Sequence, residues 1–147
     1  AKFLIVGDGS LMQEMKDLVK TYQLEEYILF TGYVKDTTAL LNVIDVNVIS
    51  SMSEAMSLSI LEAMSLGKPS IATNAGGNGE LVKNNQSGLL VGSGDSASLS
   101  DAMIKLIEDN ELYQVLALNA KKEYEEKFTA RRMVDNLEHL YEEVLQK

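Results

Sequence analysis

Glu54 and Glu62 stand eight positions apart in the stretch EAMSLSILEAMSLGKPSIATNAGGNGELV, Glu54 to Val82, and they flank the start of a predicted helix. The segment before them, VNVISS (Val46 to Ser51), is apolar and β-branched as a buried strand requires, and its serines end the run. From Ser57 onward Leu58, Leu61, Glu62 and Leu66 fall at helical spacings, until Gly67, Lys68 and Pro69 stop the helix. This pattern puts Glu54 in the strand-to-helix loop and Glu62 on the helix, about two turns in. The amides of the first turn, around Ser57, Leu58 and Ser59, carry partial positive charge and suit a diphosphate. A carboxylate at Glu62 can accept hydrogen bonds from two adjacent ribose hydroxyls, with Glu54 facing a sugar. Amides for an anion and carboxylates for hydroxyls make the chemistry of a nucleotide-sugar site. Spacing alone does not decide this, because most glutamates of an acidic chain lie on solvated surface.

The elements that must position these groups alternate along the chain. Strand-like runs are Phe3 to Val6, Ile28 to Thr31, Val46 to Ser50, Ser70 to Thr73 and Gly88 to Val91. Helical patterns lie between them, near Leu11 to Tyr22, Thr37 to Ile44 and Ser57 to Leu66, with a short one at Gly79 to Val82. Such alternation predicts an α/β fold: a Rossmann-like parallel sheet with right-handed crossovers and helices on both faces. After Val91 the strands stop. Three helices, Ser96 to Glu108 with Asp95 or Ser96 as cap, Glu111 to Lys127 and Ala130 to Gln146, form a C-terminal helical part over residues 92–147. The 147 residues read as one domain, without internal repeat, low-complexity tract or Pro-rich linker.

Bulk composition narrows the function. With 46% hydrophobic and 24% charged residues the chain is an ordinary globular one. A formal net charge of -9 argues against a general nucleic-acid or anionic-membrane binder, so an anionic ligand must be held locally. The absence of cysteine excludes a disulfide framework, a zinc-thiolate site and a cysteine nucleophile. No run reaches membrane-spanning length and AKFLIVGDGS is not a signal peptide, which makes a cytoplasmic location the default expectation. No Asp-x-Asp pair or His-rich cluster is present, so neither a metal nor any other cofactor is expected.

Ligands of such a sheet bind beyond the carboxyl ends of its strands, which directs attention to the loops there. Gly7-Asp8-Gly9-Ser10 has two glycines directly after a strand and permits close approach of a ligand, or simply a tight turn. Met12 holds the place where a dinucleotide fingerprint needs a third small residue, so a nicotinamide or flavin site is not expected. In Thr31-Gly32-Tyr33-Val34-Lys35-Asp36, the aspartate can cap the following helix and Tyr33 can stack on a base. The loop Asn74 to Glu80 contains three glycines in four positions and can bend toward a ligand, with Glu80 complementing a helix dipole. His139 reads as a surface or helix-packing residue, the seven methionines, among them Met52, Met56, Met64 and Met103, as core filling, and the charged run from Lys121 to Lys127 as a solvated face.

Taken in order, Glu54, Ser59-Ile60-Leu61-Glu62-Ala63-Met64, Gly67-Lys68-Pro69, Ala72-Thr73, Gly76-Gly77, Glu80-Leu81-Val82 and Gly88-Leu89-Leu90-Val91 closely resemble the donor-binding, C-terminal half of GT-B retaining glycosyltransferases. This is the group 1 family carrying the E-x7-E motif, and the resemblance runs from Phe3 to about Leu145. It implies an enzyme that moves a hexose from a nucleoside-diphosphate sugar to an acceptor, in polysaccharide or glycoconjugate biosynthesis. It implies Glu54 as the catalytic residue at the sugar and Glu62 at the ribose. The diphosphate falls to the amides of Ser57, Leu58 and Ser59, the loop of Gly7 and Gly9 borders the donor, and Val34 and Asp36 hold the nucleobase through backbone atoms. Family members carry, upstream of the segment matching Phe3, another strand and then a loop and helix with an Arg and a Lys for the diphosphate. On that pattern the chain is a GT-B C-terminal domain lacking its first strand, the central one of a 3-2-1-4-5-6 sheet, and lacking the N-terminal acceptor-binding half, through which any membrane contact would be made. By itself it is expected to be inactive. Ala55-Met56-Ser57 also departs from the Gly-rich or aromatic form of that loop. The reading from a different class is a non-catalytic α/β module that binds a nucleotide or supports a catalytic partner.

Overall fold

The computed structural model describes residues 1–146, which divide into two compact units, Ala1–Ala39 and the residues from Leu40 onward. In the first unit β1 (Phe3–Val6) and β2 (Ile28–Gly32) pair in parallel through the crossover helix α1 (Met12–Thr21), with an irregularity of register between Ile5 and Val6. Met15, Leu18 and Val19 recur at helical spacing on α1 and, with Ile5, Ile28 and Phe30 of the strands, line a shallow apolar groove.

The second unit is larger. After α2 (Thr38–Val43), in which the division between the units falls, come β3 (Asn47–Ile49), α3 (Leu58–Ser65), β4 (Ser70–Thr73), α4 (Asn78–Leu81) and β5 (Gly88–Val91). The three strands are parallel in the order β3-β4-β5. All four residues of β4 are buried, and successive side chains point to opposite faces. Ala72 therefore joins Ile60 and Met64 of α3 in one cluster with Leu81, Val82 and Ala120. Ile71 joins the other, with Leu89, Val91, Ala102, Leu106 and Leu116. Helices thus cover both faces of this sheet, and the doubly covered parallel arrangement is as expected.

Helices α5 (Ser96–Glu108), α6 (Asn110–Glu123) and α7 (Ala130–Leu145) complete the chain. The sequence pattern ran α6 through to Lys127, whereas the α-helix ends at Glu123 and gives way to a π-helical turn, Tyr124–Phe128. Tyr124 and Phe128 pack against the first cluster, and the wider turn brings both rings to it. No residue of α7 is buried.

Asp95 caps α5 as predicted, its carboxylate accepting from the Ser98 amide at 3.0 Å and the Ser98 hydroxyl at 2.6 Å. The hydroxyl first, and then the amide, favour the charged form and hold this carboxyl below its usual range. Because the folded-state pKa is depressed, the contribution is present above the unfolded value and lost as pH falls through the folded one. Asp95→Ala should therefore lower the melting temperature at neutral pH, and the gap to the parent should narrow only below pH 3.8. Thermal melts of both proteins across an acid series check this; a gap independent of pH would mean the carboxylate is not the cap.

Candidate functional site

Glu54 lies half-buried in the loop between β3 and α3, as its spacing predicted. This loop has no regular structure of its own, and its backbone is held by the neighbouring strand and turn. The Thr73 hydroxyl at the end of β4 donates to the Ser51 carbonyl at 2.5 Å. The Gly77 amide donates to the carbonyls of Ala55, at 3.1 Å, and Glu54, at 3.3 Å. Gly76 has φ +53, and a β-carbon there would sit 1.5 Å from the Glu54 carbonyl oxygen; one on Gly77 would sit 2.3 Å from that of Ala55. Neither contact is possible for any other residue without moving the loop. The freedom that sequence assigned to these glycines, to bend toward a ligand, is here used to seat the Glu54 backbone.

Helix α3 begins immediately beyond, with Ser57 as its cap residue in extended conformation. The Ser57 side chain makes no capping bond, and among the described residues nothing accepts from the amides of Leu58 and Ser59. Those amides point out of a helix start and retain their partial charge. Glu62, exposed, is the fifth residue of α3 and so a little over one turn in, closer to these amides than the two turns expected. The sequence reading missed Asn47, buried at the start of β3. Its side-chain amide donates to the Ser70 hydroxyl at 3.2 Å and to the Ser59 carbonyl at 3.4 Å, and its oxygen accepts from the Ser59 hydroxyl at 3.2 Å. Asn47 thereby ties the first turn of α3 to two strands. The signal was an asparagine in an otherwise apolar strand, since a buried amide must find partners.

Glu54, Ser57, Leu58, Ser59 and Glu62 are thus brought onto one loop and the helix start that follows it. The other predicted residues belong to the first unit. Gly7 has φ +125, which favours glycine, and its amide donates to the Gly32 carbonyl at 2.9 Å. Asp8 accepts from the Gly9 amide at 2.8 Å, and Gly9 has open space where a β-carbon would be. Val34 is half-buried and Tyr33 is 78% exposed. The Asp36 carboxylate accepts from the Thr38 amide at 2.9 Å, the turn that leads into α2, and the Thr38 hydroxyl and amide hold its carboxyl below the usual range. Its side chain thereby closes a turn at the entry to α2.

One expectation needs correction, that for the methionines, while His139 lies at the surface as expected. Met64 is buried and Met103 packs against the second cluster, but Met52 is 81% exposed and Met56 48%, on the loop around Glu54 where no element covers them. His139 is a surface residue of α7, 3.3 Å from Glu143 on the same helix.

Parallel strands with helices on both faces, and a helix start with free amides just beyond a strand, define an α/β domain of the nucleotide-binding class. The family model of the glycosyl transferases group 1 matches residues 1–123, and the chain belongs to that family. It is 34% identical over 145 residues to the N-acetyl-alpha-D-glucosaminyl L-malate synthase of Bacillus anthracis, covering 99% of this chain and 38% of that protein. It is 36% identical over 140 residues to the UDP-Gal:alpha-D-GlcNAc-diphosphoundecaprenol alpha-1,3-galactosyltransferase of Escherichia coli, covering 95% and 36%. Among solved structures it is similar to HepE from Anabaena in complex with UDP, with TM-score 0.85 and 27% identity over 95% of this chain and 41% of that one. The chain therefore spans well under half the length of these relatives. Among the described residues no helix is long and apolar enough to cross a membrane.

Proposed function

We propose that these residues are the donor-binding part of a longer glycosyltransferase, cytoplasmic and engaged in glycoconjugate or polysaccharide synthesis, that moves a hexose from a nucleoside-diphosphate sugar to an acceptor. The observation that carries this reading is the pairing of a seated Glu54 with the unpaired amides at the start of α3 and Glu62 one turn further on. The amides of Ser57, Leu58 and Ser59 take the diphosphate, which gains negative charge as the sugar leaves, and a preorganised dipole there stabilises the departing group. Glu62 accepts the ribose hydroxyls, and Glu54 orients the sugar. An N-terminal half would supply the acceptor, and further cations for the diphosphate lie outside these residues. HepE was solved with UDP and with UDP-glucose, which makes uridine nucleotides the first donors to test.

Glu62→Gln in the full-length enzyme should weaken UDP binding by about 1 to 3 kcal/mol, the loss typical of a charge-assisted hydrogen bond. Calorimetric titration with UDP measures it. Binding equal to that of the parent would remove Glu62 from the ribose.

A further inference from the structure

The loop that carries Glu54 is anchored at its start and its middle by residues remote in sequence. At its start Thr73 holds the Ser51 carbonyl, and at its middle the Gly77 amide holds the carbonyls of Glu54 and Ala55. Gly76 and Gly77 also leave room for those two carbonyls, where any β-carbon would collide with them. The first turn of α3, by contrast, is fixed independently by Asn47 through Ser59 and Ser70. Two sets of hydrogen bonds with no residue in common therefore hold the loop of Glu54 and the helix start before Glu62.

We propose that Thr73, Gly76 and Gly77 are positioning residues for sugar transfer: they fix the backbone of residues 51–56 and so set the direction from which Glu54 meets the donor sugar. The proposal rests on the function proposed above, in which Glu54 faces the sugar and Glu62 the nucleotide. A merely structural role would weaken nucleotide binding and turnover together. A positioning role through Glu54 alone lowers turnover and leaves nucleotide affinity in place, because α3 keeps its own anchor.

The test uses the full-length enzyme with Thr73→Val, Thr73→Ser and Gly76→Ala, assayed for transfer from a UDP-sugar and titrated with UDP. Valine matches threonine in shape but puts a methyl group where the hydroxyl reaches Ser51, so the hydrogen bond is lost and the loop is loosened. Thr73→Val should lower kcat about tenfold and Gly76→Ala about 100-fold, the scale of a displacement of roughly 1 Å at a reacting group. Thr73→Ser, which keeps the hydroxyl, should recover most of the loss, and UDP affinity should stay within about threefold in every variant. Should Gly76→Ala fail to fold by circular dichroism, the Thr73→Val and Thr73→Ser pair decides. Folded variants that turn over like the parent overturn the proposal, as does a loss of UDP affinity equal to the loss in kcat. Absence of transfer by the parent itself, across a panel of nucleoside-diphosphate sugars, overturns the proposed function and this inference with it.

Discussion

Glu54→Gln in the full-length enzyme should reduce kcat by about 100- to 1000-fold, the scale of losing one preorganised electrostatic contact at a reacting centre. The substitution keeps the size of the side chain and removes its charge, so the backbone seat made by Gly76 and Gly77 is undisturbed. In the proposed function, cleavage of the bond between sugar and diphosphate leaves positive charge developing on the sugar ring, and the half-buried Glu54 carboxylate offsets it. In the proposed function the start of α3 and Glu62, not Glu54, hold the nucleotide, so the Kd for UDP should move by less than about threefold. Steady-state kinetics with UDP-sugar beside calorimetry with UDP separate the two effects. An equal loss in both would place Glu54 at the nucleotide rather than the sugar.

The second large effect is on stability. Leu116 of α6 is fully buried and packs in the cluster of Ile71, Leu89, Val91, Ala102 and Leu106. Leu116→Ala removes the apolar contacts of an isopropyl group between a helix and the central strand, and should cost about 2–5 kcal/mol. The range reflects how far the surrounding side chains can collapse into the space. Urea unfolding followed by circular dichroism gives the value from the shift in midpoint at constant slope. A midpoint unchanged from the parent would show that this cluster contributes nothing that the rest of the fold cannot replace.

Where periodicity is strict the sequence was sufficient. Phe3–Val6, Ser70–Thr73, Gly88–Val91 and Ser96–Glu108 appear at the predicted bounds, because each is an uninterrupted apolar or amphipathic run closed by a glycine, serine or capping residue. The placement of Glu54 in the strand-to-helix loop and of Glu62 on α3 was legible for the same reason. Tyr124–Phe128 was not legible: a π-helical turn repeats nearly the spacing of an α-helix, and what selects it is the packing of two aromatic rings on a distant cluster. Met52 and Met56 misled because side-chain hydrophobicity carries no information on whether another element lies over a loop. The role of Gly76 and Gly77 was hidden likewise. Glycine in a sequence announces that a backbone needs room, and only the fold shows that the space is filled by Glu54 and Ala55.

The dependence of the Glu54 loop on Thr73, Gly76 and Gly77 bears on how this loop can be exchanged between relatives. Residues 51–62 read in sequence as a self-contained cassette, yet the shape of 51–56 is dictated by a mould that lies more than ten positions downstream. A transplant of the cassette alone would carry the carboxylates into a host whose mould was cut for other carbonyls. The heritable module is the discontinuous pair, 51–62 together with 73–79, and recombination that separates the two halves scrambles the loop while leaving every motif residue intact.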